Sequence, residues 1–474
     1  MDIQEKYEKL LNFFYEISKV PRNSTQENQI ANWLCDFASE RNLEYRKDEL
    51  YNVLIKKRAS NGYENKKPII FQAHTDMVCE KTTESNHDFT KDPIEIINDG
   101  KTLKAKDTTL GADDGIGVAT LLLLLDDNEI MHPDIYCLFT TQEEIGMDGA
   151  KNFDYSGISA SYLINIDGEE ENTAIVGCAG GARLKYEKQC VLEKIISTNF
   201  YQLKLYGFRG GHSGVDINKG RQNTNCLIAK ILENIQDCRI SSFEGGNKDN
   251  AIPNASDCIF STLKEKEEIE KIINNVMENA QISVEDRNYK ILLKECKNLE
   301  VYSEAETKKI LNMILNLKQG VISFSKDKEG LVETSGNVGI VRIKNGTNII
   351  TELIRSSDDI ARGEIENINN EFAKMNGYNI KKDSEYPGWK YKPNSNLEKV
   401  YIEAYKNTHN GDTPKIEAIH AGVECGMIYK KMPNLELISI GPDLVDVHTT
   451  NETLCLDSCK KVLETILKII EFLD

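Results

Sequence analysis

Four short apolar runs in this chain end in residues that bind metals or move protons. Pro68-Ile69-Ile70-Phe71-Gln72-Ala73 runs into His74-Thr75-Asp76, and Ile135 to Thr141 runs into Gln142-Glu143-Glu144. Tyr162 to Ile166 ends at Asp167, and Leu435 to Ile440 precedes a loop that carries His448. Runs of this length and composition read as buried strands. In parallel α/β sheets, ligands bind beyond the carboxyl ends of the strands. Four strand ends that deliver His, Glu, Asp and His to one edge would make a metal site.

Each group has a plainer reading beside the chemical one. His74 could be an ordinary strand-end histidine. With Asp76 two residues on, it could instead be a ligand whose other ring nitrogen is held by a carboxylate. In Gly111-Ala112-Asp113-Asp114-Gly115, the acidic pair fits a turn and helix N-cap. It also fits a carboxylate bridging two cations, aimed by flanking glycines. The loop lacks the Gly-Lys-Ser/Thr of a phosphate cradle, and an acidic pair would repel phosphate. Glu143-Glu144 could be an exposed acidic turn, but the run before it should be buried. One carboxylate could then bind metal while the other serves as general base, which metal-assisted hydrolysis requires. Two histidines and three carboxylates give each of two ions three protein contacts if one carboxylate bridges, with a position left open for water or substrate.

Two further features lie outside that pattern. Arg209-Gly210-Gly211-His212-Ser213-Gly214 lacks the final glycine of a serine-hydrolase elbow, since Val215 stands there. His212 in this loop could donate to a carbonyl oxygen or simply lie on a surface turn. Arg355 ends an apolar strand, where it could clamp a carboxylate or pair with a neighbouring acid.

The elements that must position these residues follow from the apolar periodicity. Helices are expected over 3–20, 25–38, 115–126 and 456–473, and strands over 43–56, 68–74, 135–141 and 161–167. That alternation predicts a mostly parallel α/β sheet. A different texture begins near Gly180-Gly181, with an antiparallel strand over 198–207 and amphipathic helices over 264–280 and 304–318. If His448 joins His74, the intervening segment is an insertion. The expected division is 1–190 with 386–474 as an α/β catalytic domain, and 191–385 as an α+β inserted domain.

At 474 residues, two domains are the natural expectation. The formal charge of −18 argues against nucleic acid or anionic membrane as a partner. Twelve scattered cysteines without a Cys-x-x-Cys point to a reducing cytoplasm. No signal peptide is visible at the N-terminus, and the longest apolar run, Leu121 to Leu125, is too short to span a bilayer.

Taken in order, His74-x-Asp76, Gly111-Ala112-Asp113-Asp114-Gly115, Glu143-Glu144, Asp167 and His448 resemble the co-catalytic zinc exopeptidases. Gly210-Gly211-His212-Ser213-Gly214, Tyr386-Pro387-Gly388-Trp389 and His420-Ala421-Gly422-Val423-Glu424-Cys425-Gly426 narrow the resemblance to the aminoacyl-histidine dipeptidase branch, over essentially the whole chain. Members of that branch often carry Asp-Asn where this chain has Asp113-Asp114, while other branches carry Asp-Asp. The resemblance implies an aminopeptidase-like catalytic domain interrupted by a lid that also mediates homodimerisation. It implies that Asp113 bridges two divalent cations, zinc or else manganese or cobalt, about 3.5–4 Å apart. His74 and Asp167 complete one site, and Glu144 and His448 the other. Glu143 is then the general base for a metal-activated water, and Asp76 orients His74. His212 stabilises the oxyanion, from its own or a neighbouring subunit, and Asn337 with Arg355 holds the substrate backbone and carboxylate. The implied reaction is hydrolysis of unblocked dipeptides. A tripeptidase or N-acyl amino acid deacylase on the same scaffold, and a non-catalytic binding protein with a degenerate site, are the alternatives.

Overall fold

The four runs that end in candidate ligands are neighbouring strands of one sheet in a computed structural model of the chain, which describes residues 2–195, 199–297 and 299–473. The strand Ile69–His74 pairs in parallel with Ile135–Thr140 on one side and Tyr162–Asn165 on the other. Glu436–Ser439 adds in parallel to Tyr162–Asn165. All four therefore point their carboxyl ends to one edge, as the apolar runs require. Ile69 stands opposite both Ile135 and Tyr162. That register is pinned because the strand Ile69–His74 is buried at every position.

The sheet is mixed, and antiparallel pairings flank its parallel centre. Glu44–Lys47 and Val53–Lys57 form an antiparallel hairpin that joins Ile135–Thr140, where a single strand over 43–56 was expected. At the other side Thr173–Cys178 pairs antiparallel with Glu436–Ser439. Helices Ile3–Ile17, Asn28–Glu40, Ala112–Asp126, Asn396–Thr408 and Leu456–Phe472 share one apolar core with this sheet. Ile3–Ile17 opens with a reciprocal cap between Asp2 and Glu5 and stops at Ile17, ahead of the expected 20. There the Ser18 hydroxyl donates to the Phe14 carbonyl oxygen at 2.7 Å, ending the helix before Pro21. Ala112–Asp126 is buried on all faces from Gly115 to Leu125, as its glycine and leucine content allows.

The chain forms two units. The first comprises the chain up to Gly177, Tyr391–Ala418 and the chain from Val423 onward. The second comprises Cys178–Lys390 and Ile419–Gly422. The division thus falls ahead of 190, because the strand Gly180–Gln189 pairs with Thr347–Ser356 and Asn379–Tyr386 in the second unit's sheet. That sheet has nine strands, and every pairing given for it is antiparallel. Its strand expected over 198–207 is Asn199–Tyr206, and residue 198 lies outside the described residues. Helices Thr224–Glu233, Lys266–Asn279 and Glu304–Asn316 contribute to its separate core. Among the described residues, no helix is long and apolar enough to cross a membrane.

Two glycines fix the strand ends beside Asp167. A Cβ on Gly441 would lie 2.0 Å from the Gly168 carbonyl oxygen, and one on Gly168 would lie 2.6 Å from the Gly441 nitrogen. Only glycine at both positions lets these two turns touch. Gly441→Ala is expected to cost about 1–3 kcal/mol, as overpacking does elsewhere. It should also weaken metal binding by moving Asp167. Denaturant titration and metal titration of the variant check this. Wild-type values in both would show that the close approach does not constrain the site.

Candidate metal centre

His74 is the last residue of its strand, and Asp167 lies two residues beyond the strand Tyr162–Asn165. Glu143 and Glu144 do not extend a strand, as their run suggested. The strand ends at Thr140, Gln142 turns through φ 57°, and Glu143–Gly146 forms a single helical turn. Asp113 follows Gly111, whose φ of 69° turns the chain into the helix Ala112–Asp126. The Asp113–Asp114 peptide bond is cis. His448 sits in the loop after Glu436–Ser439, and its side chain is half exposed.

The side chains of His74, Asp167, Glu144 and His448 converge around the carboxylate of Asp113. Its Oδ1 is 3.0 Å from His74 Nε2, which is itself 3.4 Å from Asp167 Oδ1. Its Oδ2 is 3.0 Å from His448 Nε2, which is also 3.0 Å from Glu144 Oε2. The carboxylate thus presents one oxygen to each of two His–carboxylate pairs. Ligand atoms set tetrahedrally about an ion at roughly 2.0–2.1 Å lie about 3.3 Å apart, so each group has the spacing of donors around one small cation. Glu144 Oε1 is buried without a hydrogen-bond partner, a position that a cation would satisfy. Among the described residues no lysine or arginine pairs with Asp113, Glu144 or Asp167. The donor set therefore fits two divalent cations.

Protonation reflects the same excess of negative charge. Burial would lower the His74 pKa, but Asp167, Asp113 and Asp76 hold it well above the usual histidine range. Hydrogen bonds to Asp113 and Glu144 push His448 up to about 10. Burial, with Asp113 and Asp167 nearby, pushes Glu169 up to about 7. Burial also holds Glu143 well above the carboxylate range, opposed by His74 and reinforced by Asp167, Glu424 and Glu144. The two histidines thus hold their protons among the carboxylates.

Asp76 does more than orient His74. The ring Nδ1 lies 3.1 Å from the Asp76 carbonyl oxygen and 3.6 Å from its carboxylate, so the main chain is the nearer acceptor. The Asp76 carboxylate instead accepts from the Glu143 N–H at 3.0 Å, the Glu144 N–H at 3.3 Å and the Ser24 hydroxyl at 2.8 Å. One residue therefore sets both the ring and the acidic pair.

Asp114 is buried, and each of its oxygens is taken. Oδ2 accepts from the His74 N–H at 3.1 Å and Oδ1 from the Gly117 N–H at 3.1 Å. It could be grouped with His74 and Asp167 as a ligand, but these bonds make it an anchor for the His74 strand end.

Sequence reasoning missed Glu452. Its carboxylate accepts from the N–H groups of Leu110, Gly111, Ala112 and Asp113, at 2.8, 3.0, 2.7 and 3.3 Å. The buried Arg22 donates to the carbonyl oxygens of Thr75 and Gly111. The loop bearing Asp113 is thereby gripped through both its donors and its acceptors. No local pattern marks Glu452, whose partners lie some 340 residues away in sequence. Beneath His74, Gln72 and Thr140 both donate to the buried Glu424, at 2.6 and 2.7 Å. Burial pushes that carboxyl up to about 8.

The remaining sequence-selected residues belong to the second unit. The pair Gly211–His212 aligns with Ala251–Ile252. His212 Nδ1 accepts from the Gly214 and Val215 N–H groups at 3.3 and 3.2 Å, so the ring proton sits on Nε2. Burial and Arg355 lower its pKa and keep it neutral. That Nε2 is 3.4 Å from an Arg355 guanidinium nitrogen, so two donors face each other. Arg355 is 4% exposed, its Nε has no partner, and among the described residues no carboxylate pairs with it. Asn337 is buried, and its amide donates to the carbonyl oxygens of Asp249 and Ala251 at 2.8 and 2.9 Å. Its donors are spent on holding the segment that pairs with His212.

The fold and the site together define a peptidase. The chain belongs to peptidase family M20/M25/M40, whose model matches residues 70–471. The chain is 35% identical over 460 residues to the cytosol non-specific dipeptidase of Escherichia coli, covering 95% of this chain and 94% of that protein. The crystal structure of aminoacylhistidine dipeptidase from Vibrio alginolyticus matches with a TM-score of 0.94 at 33% identity, over 98% of this chain and 96% of that one. An aminopeptidase from Bacillus cereus shares the fold, with a TM-score of 0.56 at 17% identity over 98% of both chains.

Two outcomes follow for the metal centre. His74 and His448 must lose protons before their ring nitrogens can bind a cation, so metal affinity should rise with pH across the neutral range. Calorimetry in buffers of different ionisation enthalpy should detect proton release on binding, and none would contradict the protonation pattern. Glu452→Gln replaces one acceptor oxygen with a donor facing main-chain N–H groups. It should weaken metal binding by about 10–100-fold, as loss of other supporting partners does. Unchanged affinity would show that the cradle does not position Asp113.

Proposed function

We propose that this chain is a dipeptidase that uses two divalent cations to hydrolyse unblocked dipeptides, Xaa-His among them. The observation that carries this reading is the Asp113 carboxylate divided between two His–carboxylate pairs. The dipeptidases named among its full-length relatives support the substrate class. The mixed histidine and carboxylate set suits zinc, and also manganese or cobalt.

Cations held by His74, Asp113, Asp167, Glu144 and His448 would polarise the scissile carbonyl and acidify water. Glu143 takes the proton from that water and passes it to the leaving amine. Burial holds its pKa above the usual carboxylate range, the direction that makes a carboxylate a stronger base. Asp76 holds Glu143 and Glu144 by their main-chain N–H groups, and His74 through its own carbonyl. His212 donates from Nε2 to a substrate oxygen, and Arg355 binds the free carboxylate. Asn337 holds the segment beside His212 through its amide N–H groups and offers its amide oxygen to the substrate backbone.

The second unit is proposed as the inserted lid, and as the surface through which two chains pair. The twelve cysteines are free thiols, which fits a reducing cytoplasm. Dipeptides, tripeptides and N-acetyl amino acids offered side by side separate this reading from a tripeptidase or a deacylase. Preference for dipeptides is the expected result, and preference for either other class would replace it. Glu143→Gln should retain bound metal and lose at least about 100-fold in kcat, as removal of a positioned base does. Metal analysis beside steady-state kinetics checks this, and near-wild-type kcat would remove Glu143 from the role of base.

A further inference from the structure

Arg355 donates from one terminal nitrogen to the Tyr386 hydroxyl oxygen at 2.7 Å. Because that oxygen accepts from a cation, the phenolic proton points away from Arg355. Among the described residues nothing accepts it. Burial raises the Tyr386 pKa, so the proton stays on the ring oxygen at neutral pH. Tyr386 O–H, the remaining Arg355 N–H groups and His212 Nε2–H are then donors without a shared acceptor.

The pocket for this phenol is built. Tyr386 stands opposite Gly181 in the sheet. A Cβ on Gly181 would lie 2.5 Å from the Tyr386 hydroxyl oxygen, and one on Gly422 would lie 2.6 Å from its ring. Glycine at both positions lets main chain close on the ring. Arg362 donates to the Tyr386 carbonyl oxygen at 2.7 Å and fixes the end of the strand. The segments around Tyr386-Pro387-Gly388-Trp389 and His420-Ala421-Gly422, conspicuous in sequence, thus meet at one side chain. The ionisable groups beside it leave Arg355 as the cation available to a ligand. His420 bonds Ser335 at 2.7 Å and is held neutral by burial and Arg355, with its pKa lowered to about 3. Asp249 is taken by Arg183.

We propose that Tyr386 is a specificity-determining residue whose hydroxyl, set by Arg355, donates to the substrate's free carboxylate. This rests on the reading of Arg355 as the carboxylate-binding residue. A carboxylate offers two oxygens to this cluster of donors. A C-terminal amide would turn its own N–H groups toward them, and sites built for hydrogen bonding reject such mismatches strongly.

The test compares an unblocked dipeptide with its C-terminal amide in the wild type, Tyr386→Phe and Arg355→Gln. Tyr386→Phe keeps the ring, so its thermal midpoint should match the wild type. It should raise KM for the free dipeptide at least about tenfold, in line with loss of a hydrogen bond to a charged group. Its preference for the free acid over the amide should shrink by the same factor, with kcat changed far less. Inhibition by the product amino acid relative to its amide should shift in parallel, a readout that does not depend on turnover. If Arg355→Gln loses the preference while Tyr386→Phe keeps it, the tyrosine only packs and this inference is overturned. If Arg355→Gln also keeps it, the Arg355 reading fails, and this inference with it.

Discussion

The arrangement of the first unit depends on the carboxylate of Asp113 facing two histidines at once. Each oxygen meets a ring nitrogen at 3.0 Å, and each ring nitrogen meets a further carboxylate. The ligand atoms of His74, Asp113 and Glu144 lie within 4.8 Å of one another. Two like charges about 4 Å apart repel by about 4 kcal/mol at an effective dielectric of 20. A fold that holds several carboxylates this close, with no lysine or arginine partner among the described residues, is arranged for cations.

Holding that cluster is the task of the surrounding structure. The parallel strand register brings His74 and Asp167 to one edge. Asp76 links the His74 segment to the turn that carries Glu143 and Glu144, and Asp114 ties the His74 main chain to the following helix. Glu452 grips the Asp113 loop through its N–H groups, and Arg22 through the Gly111 carbonyl. In each case a buried carboxyl or guanidinium group bonds to main-chain partners, which fixes the geometry of the ligands beside it. The second unit poses the opposite electrostatic problem. Arg355 is a buried cation with no anion paired to it among the described residues, facing the donors of His212 and Tyr386, and a substrate carboxylate is its natural complement.

Much of this was legible in the sequence because it is local. An apolar run followed by His74 or Asp167 reports both the strand and the residue at or just past its end, and the run before Glu143-Glu144 reports its strand but not the helical turn that carries the pair. The glycines around Asp113 announce a loop that aims a side chain. What was hidden is long-range. Glu452 sits in Asn451-Glu452-Thr453 with no flanking signal, and its partners are set only by the folded chain. Asn337 carries a role by resemblance, yet its donors prove to be consumed by main-chain carbonyls. Periodicity blurred the breaks it could not see. The hairpin within 43–56 read as one strand, and Gly180–Gln189 read as part of the first domain although its partners are Thr347–Ser356 and Asn379–Tyr386. Strand partners belong to topology, and an apolar pattern does not name them.

Anomalous diffraction from crystals loaded with zinc or manganese tests the bridging carboxylate directly. A shared Asp113 predicts two peaks per chain, one beside each of its oxygens, the first contacting His74 and Asp167 and the second Glu144 and His448. A single peak, or two peaks of which only one touches Asp113, would contradict it.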